Sequence, residues 1–156
     1  MAATDSVKII QLEPANAIEF WPELVPFILR ALDFDPYQTV TVGELLEQVQ
    51  KGFARVLIAV NGGELLSATV IQLFKKVSGD RVLHVVTTAG ENSNAWLPAL
   101  IDKFREIAVT EGCARVTLSG RPGWTKKVNR FGFKVAHVTM EMRIESNGQF
   151  RQEQAT

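Results

Sequence analysis

The sequence predicts a mixed α/β (α+β) fold, a single sheet with helices on its faces, and three stretches carry that prediction. The first is Arg81–Phe133, where the β-rich run Val82–Val86 breaks at Gly90 and an amphipathic segment follows. A second β-rich run, Ala114–Leu118, then leads into the turn Gly120-Arg121-Pro122-Gly123-Trp124. Strand, helix, strand is a βαβ unit, which makes its two strands parallel and lays the helix on one sheet face. The second stretch is Asn61-Gly62-Gly63, set between the strand patterns Arg55–Val60 and Glu64–Phe74, a hairpin signal. The third is Lys134–Ile144, where Ala136, Val138, Met140, Met142 and Ile144 alternate with His137, Thr139, Glu141 and Arg143. That alternation predicts an antiparallel strand with one face buried and the other wet. The expected order is β-α-α-β-β-β-α-β-α-β.

Each element has a local reason. Val7–Leu12 alternates as a strand does and stops before Pro14. Ala17–Leu32 places Phe20, Trp21, Leu24, Phe27, Ile28 and Leu32 at helical spacing. Pro22 suits a first turn there, whereas Pro26 predicts a kink or a split. Asp33–Thr39 reads as a loop. Thr41 with Glu44 forms a capping box ahead of Leu45, Leu46 and Val49, and Gly52 supplies the stop. Lys75–Asp80, containing Ser78-Gly79-Asp80, is a turn. After Gly90 a helix carries Trp96, Leu97, Leu100, Ile101, Phe104, Ile107 and Ala108 on one face. Ser93 or Asn94 is its expected cap, Pro98 falls in its first turn, and Glu111-Gly112 ends it. Trp124–Arg130 is too short for more than a two-turn helix, and Gly132 closes it.

At 156 residues the chain is read as one domain, 1–156, with its core over about 7–144 and a polar tail over 145–156. Lys+Arg and Asp+Glu are both 17, so no global charge points to nucleic acid or an anionic membrane. The single Cys113 excludes an internal disulfide and a cysteine-rich metal site, and no metal is expected. No apolar run approaches the ~20 residues of a membrane span, and Met1–Ser6 does not read as a secretory signal. A cytosolic protein is the expectation.

The element order, closed by Arg130-Phe131-Gly132-Phe133 before a last strand, resembles the GNAT acyl-CoA N-acyltransferase superfamily over Val7–Ile144. A closer resemblance is to a divergent bacteriophage GNAT-like group. It rests on Gly90 followed by Trp96-Leu97-Pro98, on Glu111-Gly112-Cys113, on Gly120-Arg121-Pro122-Gly123-Trp124 and on Gly132-Phe133. Trp21-Pro22 and Leu46–Gly52 ahead of a strand also fit. The resemblance implies a sheet of about six to seven strands. It also implies acetyl-CoA or another acyl-CoA as cofactor, its pyrophosphate held by a basic, glycine-rich turn at a helix start. The matching segment here is Asn92-Ser93-Asn94-Ala95-Trp96-Leu97, with Asn92 at the basic position and Ala95 and Leu97 at small-residue positions. Glu91 adds a negative charge beside it. Weak coenzyme binding follows. The family's tyrosine acid, four residues before the Gly-Phe pair, is Val128 here, and the sole tyrosine is Tyr37.

The candidate residues follow from both readings. Thr87, Thr88, Ser93, Asn94 and Ala95 lie where a cofactor would meet the carboxyl end of a parallel strand and the next helix start. His84, in the central strand, is either a general base or a hydrogen-bonded structural residue. Arg121 and Trp124 stand at the family's usual asparagine and alanine positions. They form either a substrate or partner site, with Arg121 as a catalytic candidate, or a buried structural pair. Cys113 reads as a small buried filler, and Lys126, Lys127 and Arg130 as a solvated face. The resulting expectation is a phage-type protein with a degenerate acyl-CoA site and little or no acetyl transfer. It would work in a virion or against other phage proteins or a host protein, in the phage particle or host cytoplasm, without membrane or nucleic acid. The alternative is an active N-acyltransferase moving an acyl group to an amine.

Overall fold

The computed structural model describes residues 6–33, 40–120 and 123–144. They divide between two compact units, Met1–Trp124 and Thr125–Thr156. The first unit holds a five-stranded sheet: β1 (Lys8–Leu12), β2 (Ala54–Asn61), β3 (Glu64–Lys75), β4 (Arg81–Gly90) and β5 (Cys113–Leu118), neighbours in that order. The first three pairings are antiparallel and β4–β5 is parallel. Helix α4 (Ser93–Thr110) makes the crossover between β4 and β5, as the βαβ pattern requires. The remaining helices are α1 (Pro14–Glu19), α2 (Trp21–Asp33), α3 (Val42–Gln50) and α5 (Gly123–Val128), the last followed by a 3₁₀ turn at Asn129–Phe131.

Local chemistry explains most of these elements. Thr41 caps α3 by accepting from the Glu44 amide at 3.1 Å, while Glu44 Oε1 accepts from the Thr41 amide at 3.1 Å. Gly62 and Gly63 take φ of 58° and 89°, the left-handed pair that joins β2 to β3 in a two-residue turn. In α4 the predicted apolar face is buried: Trp96, Leu97, Leu100, Ile101, Phe104, Ile107 and Ala108. It packs on β1, β4 and β5. A second cluster joins Trp21, Leu24 and Ile28 of α2 and Leu45 and Val49 of α3 to Val56, Ala68 and Val70 of the sheet.

Four expectations need correction. Among the described residues Lys134–Ile144 forms no ladder, and Val138, Met140, Met142 and Ile144 are 69–87% exposed rather than buried on one face. Alternation decides which side chains share a face, but a strand also needs a hydrogen-bonded neighbour, and alternation does not supply one. The sheet therefore has five strands among the described residues, not six to seven. The single early helix is two helices, α1 and α2. The break comes at Phe20, not at Pro26, which α2 runs through. Pro14 starts α1, and Pro26 removes one amide donor without ending α2, whose buried Trp21, Leu24 and Ile28 hold it on the core. Finally, Cys113 is half-buried at the edge of the sheet rather than a buried filler. The short helix expected over Trp124–Arg130 stands: it is the six-residue α5 followed by the 3₁₀ turn, and Gly132 ends it at φ 98°.

In the second unit Lys126, Lys127 and Arg130 are exposed, and the Arg130 guanidinium lies 4.6 Å from the centre of the Phe131 ring.

Gly90 closes β4 against β3 so tightly that a Cβ there would stand 2.3 Å from Leu66 O and 2.7 Å from Ser67 Cβ. The obstacle is backbone, which no rotamer change relieves. Gly90→Ala is expected to open the Ser67–Gly90 end of the ladder and cost ~1–3 kcal/mol, read as a lower denaturant midpoint. An unchanged midpoint would contradict the close approach.

Candidate functional site

The parallel pair is ladder-bonded only from Arg81–Cys113 to Val85–Leu118. β4 runs on to Gly90, so Thr87–Gly90 keep β3 on one side, and Val86–Gly90 have no β5 partner on the other among the described residues. A bulge falls here as well: Val70 faces Thr87 and Ile71 faces Val85, leaving Val86 as the extra residue. Such an irregularity re-aims backbone groups next to the opening. α4 begins directly beyond it, with Ser93 at its first turn.

The residues of this opening are differently occupied. Thr88 Oγ1 lies 2.7 Å from Thr69 Oγ1, so its hydroxyl is engaged with β3. Thr87 is buried, and among the described residues its Oγ1 has no hydrogen-bond partner; the same holds for Ser67 Oγ on β3. Buried hydroxyls are normally hydrogen-bonded, so these two are the exceptions of the strand end. Ser93 is half-buried, and Asn94 and Ala95 are exposed on the first turn of α4. Neither Ser93 nor Asn94 is the cap. Asn92 holds that position in the left-handed region, φ 54° and ψ 54°, with no side-chain cap bond. Asn tolerates that conformation where most residues do not, so the turn tightens without a glycine.

Trp96 fixes the same turn from inside. It is 1% exposed, and its Nε1 donates to Glu91 O at 2.8 Å. The Glu91 carboxylate points outward and meets Arg30 of α2 at 3.9 Å, a loose pair with both side chains mostly exposed. Arg30 was not foreseen: it lies far from Glu91 in sequence, and no local pattern announces the contact. It brings to the helix start a cation that Asn92 does not provide, and it offsets the Glu91 charge.

His84 is half-buried on β4. Its Nδ1 lies 2.8 Å from Thr117 Oγ1 on β5, and its ring meets Phe74 edge-on at 6.4 Å. Burial pushes the imidazole below the usual histidine range, which favours the neutral ring. Thr117 therefore orients a neutral histidine beside the last paired rungs of β4 and β5. Gln72, across from His84 on β3, is held by a hydrogen bond to Gln48 of α3.

Solved acetyltransferases share this architecture. The ribosomal-protein-alanine N-acetyltransferase of Brucella melitensis biovar Abortus 2308 matches with a TM-score of 0.65 at 20% identity, over 90% of this chain and 100% of that one. A predicted acetyltransferase of Clostridium acetobutylicum, solved with acetyl-CoA, matches at 0.66 and 12% identity, over 88% and 96%. The chain has the GNAT acetyltransferase fold. An aminoglycoside acetyltransferase from an uncultured soil metagenomic sample matches at 0.66 and 15% identity, over 90% and 99%. No protein-family model and no curated protein matches the sequence, so the GNAT likeness is one of fold.

Within the GNAT frame the other predicted positions fall out as follows. Trp124 is half-buried, its Cδ1 so near Gly120 that a Cβ on that glycine would stand 2.9 Å away. The ring thus lies over the Gly120 backbone rather than deep in the core. Arg121 and Tyr37 lie outside the described residues. Val128, the residue expected at the tyrosine position, is buried and has no ionisable group. Among the described residues no group of three or more His, Cys, Asp or Glu side chains is placed to hold a metal, and no helix is long and apolar enough to cross a membrane.

Proposed function

We propose that this chain is an acyl-CoA-dependent N-acyltransferase that moves an acetyl or other acyl group to an amine. The observation that carries the reading is the departure of β4 from β5 after Val85–Leu118, next to a neutral, oriented His84. Acyl-CoA supplies the activated thioester. The free backbone groups of Val86–Gly90 suit the thioester and its pantetheine arm, with Thr87 Oγ1 as a further polar contact. The first-turn amides of α4 at Ser93, Asn94 and Ala95, with Arg30 nearby, suit the pyrophosphate. His84 takes the proton from the attacking amine as the new amide bond forms, and an amide of the opened strand donates to the oxygen that gains charge. With Val128 where the tyrosine would be, the departing thiolate draws its proton from solvent or from protonated His84.

Coenzyme affinity is expected to be weak. Asn92 carries no charge, Glu91 is an anion beside the phosphate position, and Arg30 offsets only part of it. Calorimetric titration with acetyl-CoA should give a Kd no tighter than about 0.1 mM, or ~5.5 kcal/mol of binding free energy. A micromolar Kd would show that the helix amides and Arg30 make up for the missing basic and glycine positions. No heat at millimolar acetyl-CoA, together with no acetylation of a panel of amines, would remove the enzymatic reading.

The second reading keeps the scaffold without the chemistry: a phage-type protein acting by contact, in a virion or on a host protein. The exposed Glu91 carboxylate at the coenzyme position favours it, as does the loss of the tyrosine at Val128. The same titration separates the two.

A further inference from the structure

We propose that the amino end of β4 carries a second ligand site, a cleft formed by Phe53, Arg55 and Arg81 that takes a small phosphate monoester of the nucleoside monophosphate kind. A cavity of about 210 Å³ opens there, lined by Gly52, Phe53, Arg55, Leu73 and Arg81. Its walls come from the approach to β2, the start of β2, the end of β3 and the start of β4. The opened stretch of β4 at Val86–Gly90 lies at the other end of the same strand, so this inference does not rest on the acyl-CoA reading.

The charges at this end are arranged around one carboxylate. Glu111, which caps the carboxyl end of α4, meets Arg55 at 3.2 Å through Oε2 and Arg81 at 3.9 Å through Oε1. Two guanidiniums share one anion and leave a surplus of positive charge beside the cavity. Lys75 and Lys76 add to it against Asp80 in the turn between β3 and β4. The chain as a whole is neutral, so the surplus belongs to this place and not to the composition. Arg55 is hydrogen-bonded to Glu111 and forms the fixed half of a clamp. Arg81 is too far from Glu111 for a hydrogen bond, and its side chain is 44% exposed, so it is free to turn toward a guest.

The guest follows from what the cleft offers. Guanidinium N–H groups form planar forks that match oxyanions. Glu111 already brings the two oxygens of a carboxylate, whereas a phosphate monoester brings three acceptor oxygens to two separate forks. Phe53 describes the rest of the ligand. It follows Gly52, which turns the chain at φ 80°, and it is 66% exposed at the cleft. An exposed aromatic ring beside basic groups suits the stacking of a base. The cavity is smaller than the ~300–1,000 Å³ of pockets that enclose a whole drug-sized ligand. It therefore takes the phosphate, and the base lies along Phe53 outside it.

The experiment titrates the whole chain with adenosine monophosphate by calorimetry, with inorganic phosphate and adenosine as separate arms. The monophosphate should bind more tightly than either fragment, and less tightly as salt is raised. Arg81→Gln should weaken it by roughly tenfold or more, the loss of one charge-assisted contact. Phe53→Ala should weaken it about fivefold or more and leave inorganic phosphate unaffected. Both replaced side chains are exposed, so both variants should melt as the wild type does. Arg30→Ala, next to the start of α4, should leave the monophosphate affinity unchanged. Absence of heat with millimolar adenosine monophosphate overturns the proposal. Inorganic phosphate binding as tightly as the nucleotide overturns it too, because Phe53 would then have no part in the site. So does a loss of affinity in Arg30→Ala with none in Arg81→Gln, which would put the nucleotide at the start of α4.

Discussion

Trp96→Ala is expected to lower folding stability by ~3–5 kcal/mol, measured as a fall in the urea midpoint with little change in slope. The ring is 1% exposed and stands at the start of the buried face of α4, which continues through Leu97, Leu100, Ile101 and Phe104. Truncation leaves a cavity the neighbouring helix and strands fill only in part. It also removes the donor to Glu91 O, freeing the turn that places Asn92 in the left-handed region. The loss should therefore appear twice: as lower stability, and as weaker acetyl-CoA binding at temperatures where the variant is still folded. Trp96→Phe separates the effects, because it restores most of the volume but not the N–H donor. A variant with Ala that melts within 1 kcal/mol of the wild type would show that Trp96 is not the anchor its burial describes.

Legibility in the sequence followed the range of the interaction. The Thr41–Glu44 capping box is an i,i+3 device, and the Asn61–Gly63 hairpin is set by adjacent glycines; both stand as read. The βαβ unit was legible because a helix period between two β-rich runs leaves little choice of handedness or pairing, and β4–β5 is parallel. The buried face of α4 follows from the same period. What depended on partners elsewhere was not legible. Pro26 reads as a break, yet α2 is held by its buried residues and absorbs one lost hydrogen bond. Lys134–Ile144 reads as a strand from its own pattern, but the pattern carries no information about who pairs with it.

The site divided along the same line. His84 was a candidate from its place in the central strand, and whether it faced a partner depended on Thr117, 33 residues away. Thr87 and Thr88 looked equivalent in sequence. The bulge at Val70/Ile71 and the Thr69 hydroxyl make them different, one a buried oxygen unpartnered among the described residues and the other engaged. Arg30 had no signal at all. A cation that reaches a helix start from another helix leaves no mark on the sequence of the helix it approaches.

His84→Gln is expected to reduce kcat/KM for amine acetylation by ~10²–10⁴-fold while costing no more than about 1 kcal/mol of stability. Glutamine keeps a polar group within reach of Thr117 but cannot accept a proton at neutral pH, so chemistry is lost and the β4–β5 contact is largely kept. The pH profile supplies the sign. Burial lowers the folded-state pKa of His84 below the ~6.5 of a free histidine, so the neutral, base-competent ring persists to lower pH than usual. The acid limb of the wild-type rate should therefore fall below pH ~6.5, and His84→Gln should lack that limb. Stability moves in the same direction. Between the two pKa values the unfolded chain binds more protons than the folded one, so stability falls as pH drops through that window and is unaffected above it. In His84→Gln this contribution to acid sensitivity should vanish. A variant that keeps its rate and its acid limb would place the base on another residue, and one that loses more than 3 kcal/mol of stability would make His84 a structural member of the β4–β5 pair.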